Sequence, residues 1–124
     1  MKRLLIWAFI IAAFPTVLAH AHFFGQASYF KVVMTTDEDE FRYEYQNPDT
    51  FEFVKNQTLM CGEKAERKVN QLYKNMQFDV EQNADELVKR LQSNGYEDIK
   101  TLKIWYRDSD DKLNTWVWKR DGGY

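Results

Sequence analysis

Apolar residues in this chain recur at every second position near both ends and at every third or fourth position between them, so one fold has to satisfy both rhythms. Ser28 to Thr36 sets Phe30, Val32 and Met34 against Tyr29, Lys31 and Val33, and Phe41 to Gln46 sets Phe41, Tyr43 and Tyr45 against Arg42, Glu44 and Gln46. Period two is the signature of a strand with one buried face. The acidic stretch Asp37 to Glu40 reads as the turn of an antiparallel hairpin. Asn47-Pro48-Asp49 ends its second strand, because proline cannot donate to a ladder and Asn and Asp favour turns. Phe51 to Val54 follows as a third strand and Lys55-Asn56-Gln57 as a turn. Thr58 to Met60 reads as a fourth strand or as the first turn of a helix.

From Glu63 the period lengthens. Ala65, Val69, Leu72 and Met76 fall on one helical face, with Lys64, Arg67, Lys68 and Lys74 outside it. Cys61 lies four residues before Ala65, and this spacing predicts that it joins the buried stripe. Ala84, Leu87, Val88 and Leu91 mark a second helix, capped by Asn83 or Asp79 and stopped at Asn94-Gly95. Glu86 and Arg90 are spaced as an i,i+4 pair on its exposed side. Thr101 to Arg107 and Leu113 to Lys119 alternate again around Asp108-Ser109-Asp110-Asp111, a closing hairpin. The pattern predicts an α+β two-layer sandwich, a mainly antiparallel sheet with two helices packed on one face.

Register within the last hairpin decides what its tryptophans do. An even turn sends Leu102, Ile104, Tyr106, Leu113 and Val117 to one face, and Trp105, Trp116 and Trp118 to the other with Lys103, Lys112 and Asn114. An odd turn brings Trp116 and Trp118 onto the Leu102 face, because a slip of one residue reverses every side chain. The working expectation is the even turn. It makes Trp105, Trp116, Trp118 and Lys103 a candidate binding surface, since exposed indoles offer large contact area at small entropic cost.

Residues 1–19 fix an expected address. Met1-Lys2-Arg3 is a positive start, Leu4 to Phe14 an apolar run broken by Pro15, and both Val17-Leu18-Ala19 and Ala19-His20-Ala21 suit a signal peptidase. The expectation is a signal peptide over 1–19, with the alternative cut after Ala21, and a single small exported domain over 20–124, secreted or periplasmic. Sixteen residues from Leu4 to Ala19 fall short of the roughly 20 that cross a bilayer. A membrane enters only if this segment is retained as an anchor. Without Lys2 and Arg3 the chain keeps 15 basic and 19 acidic residues, which gives no electrostatic reason to expect nucleic acid. One cysteine precludes an internal disulfide, so stability rests on packing.

The chain's two histidines, His20 and His22, both lie at the expected cut. No imidazole remains downstream for a Ser-His-Asp or Cys-His site, and one cysteine without an internal histidine makes no zinc cage. The reading is therefore non-catalytic and without a cofactor in the body of the domain. Cleavage after Ala19 exposes His20-Ala21-His22, whose amine, amides and third-position imidazole form the planar nitrogen set that Cu(II) or Ni(II) prefers. Cleavage after Ala21 makes His22 terminal. That end resembles the end of copper-dependent polysaccharide oxygenases, whose first mature residue is a metal-binding histidine; the likeness covers one residue, and no second histidine follows to complete such a site. Asn56-Gln57-Thr58 matches the N-glycosylation acceptor pattern. The functional expectation is a small exported binding or regulatory domain acting through a sheet face or edge on a protein or cell-envelope partner. The alternatives are a Cu(II) or Ni(II) binder at the amino terminus and a carbohydrate-binding domain using the tryptophan hairpin.

Overall fold

The computed structural model describes residues 27–122. Six strands form one antiparallel sheet: β1 (Ala27–Thr36), β2 (Glu40–Gln46), β3 (Thr50–Lys55), β4 (Thr58–Cys61), β5 (Ile99–Asp108) and β6 (Leu113–Lys119). Two helices, α1 (Gly62–Met76) and α2 (Ala84–Ser93), lie between β4 and β5 in sequence. The strand order is β4-β3-β2-β1-β5-β6, so the chain meanders outward from β1, crosses back as helices, and resumes on the other side of β1 with β5. This is the expected α+β arrangement, with both helices packed against the sheet.

The alternating residues determine which face the helices cover. Phe30, Val32 and Met34 on β1 pair across to Tyr45, Tyr43 and Phe41 on β2 and to Tyr106, Ile104 and Leu102 on β5. These side chains meet Ala65, Val69, Leu72 and Met76 from α1 and Leu87, Val88 and Leu91 from α2 in one buried cluster. At Gly62 the backbone takes φ +69°, a left-handed conformation that glycine adopts without a Cβ penalty, and the strand turns directly into α1. Asn83 caps α2, its side-chain oxygen accepting from the Glu86 amide at 3.0 Å.

Three local expectations are corrected. Cys61 is exposed: it is the last residue of β4, opposite Glu52, and one step along the strand from the inward-facing Met60 places it on the outer face. Its spacing to Ala65 is helical, but α1 begins only after it. Arg90 does not pair with Glu86 among the described residues; its guanidinium donates to the Met76 and Gln77 carbonyls and to Gln82, tying the end of α1 to the loop before α2.

The last hairpin takes the odd turn, which corrects the even-turn expectation. Asp108 donates its amide to the Lys112 carbonyl at 3.1 Å and accepts from the Asp111 amide at 3.1 Å, and Asp111 sits at φ 68°. A tight turn followed by a left-handed residue is a common hairpin closure, and the Asp108 carboxylate fixes it by accepting from the Asp110 and Lys112 amides at 2.9 and 3.0 Å. Leu102 therefore faces Trp118 and Ile104 faces Trp116, while Trp105 faces Thr115.

Candidate functional site

The odd turn divides the four predicted binding residues. Trp105 and Lys103 are on the sheet face opposite the two described helices. Trp116 and Trp118 are on the helix side, packed against the core at its margin. Their indole N–H groups are engaged there: Trp116 donates to the Gln82 carbonyl at 2.8 Å and Trp118 to the Asp85 carboxylate at 3.0 Å. Trp116 also meets Phe78 edge to face at 5.2 Å. A part-buried indole that has found its acceptor behaves as a strut, and these two hold α2 and its leading loop against β6.

The open face is built by the outward positions of every strand. Its aromatic focus is Trp105, one strand in from the β6 edge, with Lys31 from the neighbouring β1 at 5.2 Å from the ring centroid and Lys103, two residues away on β5, at 5.9 Å. The ring's electron-rich face attracts both cations, and Trp105 itself is half-exposed. Tyr29 extends this patch, with the Arg107 guanidinium 6.0 Å from its ring and its hydroxyl donating to Glu44 at 3.1 Å. Partial burial, together with the Glu44 carboxylate, pushes the Tyr29 phenol up to about 12.

Beyond Tyr29 the face becomes a charge lattice. Arg42 pairs with Glu44 on its own strand and with Glu52 on β3 at 3.2 Å. Beside this lattice Val33 and Val54 floor a depression of about 230 Å³ rimmed by Thr35, Glu40 and Arg42. The hydroxyls of Thr35 and Thr101 meet at 2.6 Å across the β1–β5 seam. The surface thus alternates aromatic, aliphatic and charged groups rather than presenting one apolar sheet.

Lys31, Tyr29 and the Arg42–Glu44–Glu52 lattice were not predicted as a unit with Trp105. The signal was present, since all occupy the period-two positions opposite the core residues, but strand order had to be known before β1 could be placed next to β5. Among the described residues no group of three or more His, Cys, Asp or Glu is positioned to hold a metal. His20 and His22, the candidate copper or nickel ligands, lie outside the described residues, as does the expected signal segment. Among the described residues no helix is long and apolar enough to cross a membrane. Asn56, in the glycosylation pattern, is exposed at the turn between β3 and β4. Comparison with protein-family models, curated proteins and solved structures finds no match to this chain.

Proposed function

We propose that this chain is an exported, non-catalytic binding domain whose open sheet face engages a protein or cell-envelope partner. The observation that carries the reading is the Lys31–Trp105–Lys103 cluster on a sheet face that neither described helix covers. Interfaces of this kind combine an aromatic anchor with flanking polar and charged groups. Arg42, Glu44 and Glu52 supply such a rim here, and the Val33–Val54 depression beside it offers a seat for a partner's apolar side chain.

The division of the tryptophans supports the same assignment. Trp116 and Trp118 are engaged with α2, so the hairpin offers one indole outward instead of three, and binding belongs to the whole face. The test is site-specific photocrosslinking in the producing cell, with a photoreactive residue at Val33 and, as a control, at Lys89 on the exposed side of α2. The expected result is a discrete adduct from position 33 and none from position 89. Adducts from position 89 alone, or an identical set from both, overturn the assignment.

A further inference from the structure

The helix side of the molecule holds a second feature, independent of the open face. Between α1 and the β2–β3–β4 end of the sheet runs a cleft of about 520 Å³, within the range of ligand sites. It continues into a depression of about 340 Å³ that shares Met60, Lys68 and Gln71, so the two form one trough along α1. From Lys64 to Asn75 the helix rises roughly 16 Å, the span of a few sugar units.

Charge along this trough is one-sided. Helical spacing brings Lys64, Lys68, Gln71 and Asn75 onto one flank of α1 with Arg67 beside them, and leaves Glu63 and Glu66 off it. Lys55 approaches from the opposite wall. The ammonium groups of Lys68 and Lys55 rest 5.5 Å from the Phe53 ring and 5.7 Å from the Phe41 ring, and neither lysine meets a carboxylate among the described residues. Among the described residues no acidic side chain lines the cleft or the depression. The two cations are therefore stationed inside the trough without an internal counter-charge.

The remaining lining narrows the ligand class. Phe41 and Tyr96, both half-buried, supply aromatic surface over the buried Tyr43 and Phe53, with the Tyr43 and Tyr96 hydroxyls joined at 2.9 Å. Gln71 and Asn75 contribute side-chain amides that have no hydrogen-bond partner among the described residues. Amides both donate and accept, matching hydroxyls that do the same, and aromatic rings match the apolar C–H face of a sugar ring. An acidic peptide fits less well. Along α1 it would meet a helix whose backbone groups are already bonded, and the only strand edge beside the trough among the described residues is the four-residue β4, too short to pair most of its amides and carbonyls.

We propose that this trough binds a carboxylate-bearing oligosaccharide, the carboxylates meeting Lys55, Lys68 and the Lys64–Arg67 end, and the sugar rings lying against the aromatic and amide lining. The test is calorimetric titration of the exported protein with tetragalacturonate, with neutral cellotetraose and hexaglutamate peptide run in parallel. The expected result is saturable binding of tetragalacturonate, weakened at least tenfold by the double variant Lys55→Gln, Lys68→Gln and also weakened by Gln71→Ala. Hexaglutamate and cellotetraose should bind at least tenfold more weakly than tetragalacturonate. Trp105→Ala should leave this affinity unchanged, which separates the trough from the open face. All the altered side chains at the trough are exposed, and unchanged melting of the variants verifies their folding. Absence of binding, equal binding of hexaglutamate or cellotetraose, or an affinity insensitive to the lysine pair overturns the proposal.

Discussion

Single residues in this domain differ most in how they hold their protons. Burial raises the Tyr43 phenol well above the ordinary range, and its bond to Tyr96 adds to the effect; burial and Glu44 hold Tyr29 at about 12. An unfolded chain ionises tyrosine near 10, so between the two values the folded state binds more protons than the unfolded state. Stability is then fully present below about pH 10 and falls as pH rises toward about 12. Urea unfolding across that window should show the midpoint dropping with pH, and Tyr43→Phe should flatten the drop. A midpoint constant through the window would contradict the assigned environments. Asp37 titrates in the opposite sense: its hydrogen bonds from Arg120 lower its pKa, so its contribution is present above the ordinary carboxylate range and declines in acid.

At the scale of elements, α2 is a ten-residue helix, short enough that packing rather than intrinsic propensity holds it. Its attachment runs through Arg90 to the end of α1 and through the two indoles of β6. Trp116→Phe keeps a ring beside Phe78 but removes the N–H that reaches the Gln82 carbonyl, at a cost of roughly 1 kcal/mol. The expected result is a slightly lower melting midpoint with faster hydrogen exchange at the α2 amides than in β1. Uniform acceleration across the domain would argue that Trp116 supports the core as a whole.

The elements themselves were legible because their rhythms were strong. Phe30, Val32 and Met34 marked β1, and Leu87, Val88 and Leu91 marked α2 between a cap left open between Asn83 and Asp79, which the structure gives to Asn83, and a stop at Asn94-Gly95. Register was not legible where a turn chose between odd and even, because Asp108-Ser109-Asp110-Asp111 contains good turn residues for either closure. The choice came from the Asp108 carboxylate binding two amides and from Asp111 accepting a left-handed conformation. Cys61 was misplaced for a related reason. Its spacing obeyed the helix, but Gly62 starts that helix one residue later and leaves Cys61 to the parity of β4. The trough was missed because β4 and α1 had to be set side by side before the cations of one helix flank could be seen to face Lys55.

At the scale of the whole molecule, the two described helices take one sheet face, and Trp105 lies on the other, one strand in from the β6 edge. The central claim is that the outward indole serves binding while the inward indoles serve folding. Crosslink yield from the photoreactive residue at Val33, compared between Trp105→Ala and Trp116→Ala below the melting point of either variant, tests that division. The account predicts that Trp105→Ala removes most of the adduct while melting near the parent, since a half-exposed surface ring contributes mainly to what packs on it. Trp116→Ala should melt earlier by roughly 2 to 4 kcal/mol of lost stability yet retain the adduct. Loss of the adduct in Trp116→Ala with its persistence in Trp105→Ala would contradict the claim.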